Sequence, residues 1–140
     1  MNIARLAALP ALFAMLTTSC QTAASPAAVV VQPTFADIQQ KIFASNCTTR
    51  SCHGDAGRGG LVLTPDVAYA NLVNVPAQND AAKPKGKLRV IPGDPTNSFL
   101  LQKLTGPAAD EGDLMPQRGG SLSATDIAAI RLWIANGAKP

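Results

Sequence analysis

Two thiols stand with four residues between them and an imidazole directly behind, in the run Cys47-Thr48-Thr49-Arg50-Ser51-Cys52-His53. No other segment restricts the chain so strongly, because His53 is its one histidine and the chain holds 3 cysteines in all. A lone histidine excludes sites that need two imidazoles, which removes most catalytic zinc sites and di-iron centres. Two thiols followed by an imidazole suit covalent attachment of haem. The cysteines bond the vinyl groups as thioethers, and the adjacent histidine is held beneath the iron as an axial ligand. The usual spacing leaves two residues between the cysteines, and here there are four. Both sulfurs can still reach the porphyrin edge if the intervening segment loops outward.

Composition agrees with a small domain built around such a group. The 140 residues are one domain's worth, 46% hydrophobic and 15% charged, which is too apolar for a solvated disordered chain. Aromatic residues make up only 4%, so the core lacks large flat groups and a small domain of this kind calls for a staple or cofactor. The formal charge is +3, without any run of five Lys or Arg and with one Trp and one Tyr. Nucleic-acid binding therefore has no support.

The N-terminus reads as an address. One positive side chain, Arg5, precedes a short apolar run from Leu6 to Leu16, and small residues then lead to Cys20. The run is too short for a membrane span and reads as an export signal. The residues before Cys20 resemble the bacterial lipoprotein processing site, at which the cysteine becomes the lipidated first residue. Gln21 after it then favours the outer membrane. The other reading is an ordinary cleaved signal, with Cys20 lost or left as a spare thiol. The expected organisation is a lipoprotein-type signal at 1–19, a lipidated N-terminus and uncharged tether at 20–33, and a folded domain at 34–140. The domain is expected on the periplasmic side of the cell envelope, held to the membrane through the lipid, where cysteines can be oxidised or attached to cofactors.

Within the domain, Phe35, Ile38, Ile42 and Phe43 recur at helical spacing over 34–46, with Thr34 as cap. Four glycines between Gly54 and Gly60 make a loop, and Thr64 before Pro65 signals a short helix over 65–73. Residues 75–89 read as an exposed loop. Asp94 with Pro95 is expected to cap a third helix over 96–104. Ser123 and Asp126 resemble a capping box that opens the last helix, which carries Ile127, Ile130, Trp133 and Ile134 and ends at Gly137. The class is all-α, several short helices and long loops around one haem.

An iron that only carries electrons needs a second axial ligand. With Met1 and Met15 lost in the signal, Met115 is the methionine that remains, in the loop segment Leu114-Met115-Pro116. Pro116 keeps its backbone out of the helical region. The alternative for a lone methionine is core filler.

Taken in order along the chain, Phe43, Cys52-His53-Gly54, Pro92-Gly93-Asp94-Pro95 with Ser98, Met115-Pro116 and Leu132-Trp133-Ile134 resemble a small class I-type cytochrome c. The likeness is to exported bacterial domains with four residues between the cysteines, and it spans roughly 35–138. It implies that the first and last helices cross beside the haem, with Phe43 and Trp133 near the crossing. It also implies Cys47 and Cys52 as thioether residues, His53 as proximal ligand and Met115 as distal ligand. The expected function is electron transfer by one covalent haem c, an electron carrier and not an enzyme, serving a redox protein partner.

Other readings stay open at this point. One is a haem enzyme, or an enzyme's haem subunit, with an open distal position. Another is a haem-free surface lipoprotein stapled by a Cys47–Cys52 disulfide. Zinc on Cys47, Cys52 and His53 would need a fourth ligand from a carboxylate. The basic stretch Lys83, Lys85, Lys87 and Arg89 and the acidic cluster Asp110, Glu111 and Asp113 read as solvated loops, the former alternatively as a docking patch.

Overall fold

The computed structural model describes residues 30–140. The expected signal at 1–19, Cys20 and most of the tether lie outside the described residues. The helix expected over 34–46 is present, in three contiguous pieces: Phe35–Ile38, a π-helical turn at Gln39–Phe43, and Ala44–Asn46. Thr34 Oγ1 accepts the Asp37 backbone N–H at 3.3 Å, which satisfies one donor that a helix start leaves unpaired. Lys41 and Asp37 pair at 2.7 Å one turn apart. The wider turn buries Gln39 beside Ile42 and Phe43, and its amide donates to the Leu63 carbonyl at 2.9 Å.

The last helix, Ala124–Ala135, starts and stops as its sequence predicts. Ser123 Oγ accepts from the Asp126 N–H at 3.1 Å. At the other end Gly137 N–H reaches Ile134 O at 3.0 Å and Ala138 N–H reaches Trp133 O at 2.9 Å. With Gly137 at φ +93°, this is a Schellman end that consumes two carbonyls. The first and last helices meet, and the ring that faces Trp133 belongs to Phe35, at 5.5 Å between centroids. Tyr69 packs edge-on against Phe35 at 5.1 Å, and its hydroxyl donates to the Ala138 carbonyl at 2.9 Å. Phe43 is buried about two turns further on, on the wall of the cavity described below.

Two helices between them are shorter than expected. Residues 65–67 form a turn closed on the Thr64 carbonyl, and the helix is only Ala68–Leu72. Asp94 likewise does not cap a helix. Its carboxylate takes the Asn97 backbone and side-chain N–H groups at 3.1 and 2.6 Å, and the helix starts later, at Phe99–Thr105. Its first N–H groups, on Phe99 and Leu100, are satisfied by the carbonyls of Leu88 and Arg89. Buried Ser98 closes the preceding turn by accepting from Ile91 N–H at 2.9 Å and donating to Asp94 O at 2.7 Å. Gly93 N–H ties that turn to the last helix through Ile134 O at 2.8 Å.

The core joins Ile38, Ile42, Leu72, Leu101, Leu104, Ile130, Trp133 and Ile134. The described residues contain helices and isolated bridges only, such as Val73 with Val90, and so are all-α. No helix among them is long and apolar enough to cross a membrane.

Candidate functional site

The site begins where the first helix ends. The Phe43 carbonyl accepts the N–H of both Cys47, at 2.9 Å, and Thr48, at 3.1 Å, so the chain leaves the helix at the first thiol. Thr49, Arg50 and Ser51 then loop outward, exposed, as the four-residue spacing requires. The loop closes on itself through Cys52 N–H to Thr49 O at 2.9 Å and His53 N–H to Cys47 O at 3.0 Å. Gly54 seals it. A Cβ at that position would lie 2.6 Å from Thr48 O and 3.0 Å from Thr49 O, closer than any side chain tolerates.

His53 is oriented from behind. Its Nδ1 lies 3.2 Å from the Leu61 carbonyl oxygen. A carbonyl only accepts, so Nδ1 carries the proton and the neutral ring presents the Nε2 lone pair. Such a partner behind the ring is what commonly fixes a metal-binding histidine. The His53 carbonyl in turn accepts from Leu63 N–H at 2.7 Å, which holds the extended piece 61–63 in place. Gly57, Gly59 and Gly60, with φ of 54°, 65° and 67°, turn the chain back to make that contact.

Two adjoining cavities of about 310 and 540 Å³ open beside this segment, and both have Cys47, His53, Leu104 and Met115 in their walls. Sizes of this order are those of ligand and cofactor sites. Phe43, Leu61, Leu63, Leu72 and Phe99 line the smaller one, and Cys52 lines the larger. Met115 is brought there from the far side of the sequence, its N–H donating to Lys103 O at 2.8 Å. The fold thus gathers Cys47, Cys52, His53 and Met115 around one space, which offers an imidazole nitrogen, a thioether sulfur and two thiols to an apolar occupant.

Both thiols are free, and their environments differ. Burial, and then the neighbouring Cys52, push the Cys47 thiol up to about 11. The Cys52 thiol is held below the ordinary range, first by a hydrogen bond from Thr49, with Ser51, Arg58 and Arg118 adding to it against partial burial. No group of three His, Cys, Asp or Glu side chains able to hold a metal ion converges among the described residues.

The charged loops match the solvated reading at Lys83, Lys85, Asp110 and Asp113, which are exposed, and differ from it at Arg89 and Glu111. Arg89 is buried, its guanidinium donating to Asn71 O at 2.7 Å and Gly60 O at 2.6 Å. Ala77 and Ala82 bury the middle of the segment expected to be exposed. Glu111 is completely buried, and Lys85 and Lys87 both converge on its Oε1. The basic and acidic stretches answer each other across the fold, a pairing that neither shows by itself. Comparison with known proteins gives no matching family model, no matching curated protein and no matching solved structure.

Proposed function

We propose that the chain is a small electron carrier holding one covalent haem c, with His53 and Met115 on the iron and Cys47 and Cys52 as its thioether residues. The observation that carries this reading is the convergence of all four side chains on one cavity, with the His53 ring turned so that Nε2 is the free nitrogen. The donor set fits the group. An imidazole and a thioether would hold the iron, the two thiols would take the vinyl groups, and much of the lining is apolar. When bound, the haem supplies one-electron chemistry, and Met/His ligation sets its potential higher than that of many other haems.

The chain's own residues hold, orient and seal. Leu61 keeps the imidazole in one tautomer, and Lys103 O holds the backbone of Met115. Phe43, Leu63, Leu72 and Phe99 give the smaller cavity an apolar wall. With Met115 in place, no open position is left for a substrate, which separates a carrier from a haem enzyme. Delivery to the cell envelope, a lipid on Cys20 and a redox protein partner belong to the same proposal.

The test is a haem stain on a denaturing gel after expression with a maturation system that tolerates the longer spacing. Stain that survives denaturation, together with loss of the normal haem spectrum in His53→Ala, is the expected result. Correctly matured protein that is colourless, with Cys47 bridged to Cys52, would overturn the proposal in favour of a disulfide-stapled protein.

A further inference from the structure

The segment that carries Met115 has almost no regular structure of its own. One 3-10 turn, Ala109–Glu111, is followed by bends up to the last helix. Its position is imposed from outside. Lys103 Nζ donates to the carbonyls of Glu111, at 2.9 Å, and Asp113, while the Asn79 side chain donates to Glu111 O at 3.1 Å. The Glu111 carboxylate takes Lys85 at 3.3 Å and Lys87, and Lys87 also donates to Gln102 at 2.7 Å. Three lysines from two different parts of the fold therefore close on one buried glutamate, four residues before Met115 and on the wall of the smaller cavity.

The carboxylate is the keystone of this arrangement. Both lysine contacts fall on Oε1, and Oε2 has no hydrogen-bond partner. Without the negative charge, Lys85 would keep only the exposed Asp110 carboxylate, at 2.9 Å, while Lys87 would face Lys85 with no counter-charge of its own and Lys103 close by. Like charges held at short range in partly desolvated surroundings repel strongly. The element free to move away is the irregular segment 112–118, and Met115 lies in it.

We infer that Glu111 is a positioning residue for Met115, clamping its loop to Lys85, Lys87 and Lys103 so that the thioether stays on the cavity opposite the imidazole. The inference rests on the haem reading above and adds to it the group that keeps the distal ligand in place. Glu111 acts through the loop and has no contact with the iron assigned to it.

The experiment uses the matured holoprotein carrying Glu111→Gln, and separately the double variant Lys85→Gln/Lys87→Gln, which decides the matter should the first fail to fold. Three quantities are read well below the unfolding temperature: haem stain, the far-red sulfur-to-iron band of the ferric form, and the affinity for added imidazole. The expected result is unchanged stain and helical circular dichroism, a weakened sulfur-to-iron band, and an imidazole affinity raised about tenfold or more as Met115 is displaced. A merely structural glutamate would lower the melting temperature and leave the band alone. Intact bands with imidazole affinity within about twofold of the parent in the folded variants would overturn the inference. The haem reading would stand in that case, whereas a parent protein without stain would overturn both.

Discussion

His53 Nδ1 lies against the carbonyl oxygen of Leu61 at 3.2 Å, so in the neutral ring the proton belongs on Nδ1 and the lone pair on Nε2. This orientation is written into the backbone and needs no second ionisable side chain. Nitrogen-15 NMR of the haem-free protein with its imidazole neutral should show the Nδ1–H tautomer. Gly60→Ala should disturb it. Residue 60 sits at φ +67°, and a Cβ there meets Gln78 at 3.1 Å, so strain of about 1–2 kcal/mol falls next to Leu61. A lowered melting temperature with a mixed tautomer population is the expected pair of results.

Removing the proposed distal donor has a different signature. Met115→Ala should leave the haem attached, because neither thioether residue is touched. The potential should fall with loss of the sulfur ligand, and carbon monoxide or imidazole should gain access to the iron. Redox titration and ligand-difference spectra check this. A variant whose potential and spectrum match the parent would place the distal ligand elsewhere.

The two thiols should react unequally before any cofactor is attached. Cys47, raised to about 11, holds almost no thiolate at mildly alkaline pH, while Cys52 is shifted the other way. Thiolate is the reactive form. Iodoacetamide given in limited amount to the haem-free, reduced protein should modify Cys52 first, which peptide mass spectrometry reads directly.

Acid should loosen the Glu111 clamp. Hydrogen bonds from Lys87 and then Lys85 hold this carboxyl below its ordinary 4.5, against the opposing effect of burial. A lowered folded-state value means that its stabilisation is whole above 4.5 and is lost as pH falls through the depressed value. Glu111→Gln should therefore be less stable than the parent at neutral pH, with the difference closing toward the acid end. Urea unfolding at a series of pH values measures it.

The parts legible in the sequence were those with short-range causes. Thr34 and Ser123 cap helices through N–H groups three residues away, and Gly137 ends one by its backbone freedom, so both terminal helices could be read from their own residues. The thiols and imidazole of 47–53 are likewise adjacent in the chain. Pro65 and Asp94 misled for a related reason. A proline at a first helical position and an aspartate cap are also the marks of simple turns, and only packing decides which forms. The Lys85–Glu111 and Arg89–Gly60 contacts join residues 26 and 29 apart, and the Leu61 carbonyl carries no side-chain signal at all. Phe43 and Trp133 share the core, as expected, while the ring contact of Phe35 with Trp133 joins residues 98 apart and has no mark in the sequence.

Gly54 has a bearing on anyone who would transplant this segment. The carbonyls of Thr48 and Thr49 fold back over the space where its side chain would be. A methyl group there would drive the excursion between the sulfurs outward and spoil their mutual alignment. The stretch from Cys47 to Gly54 therefore behaves as one cassette, and a graft that stops at the imidazole would leave its own keyhole blocked.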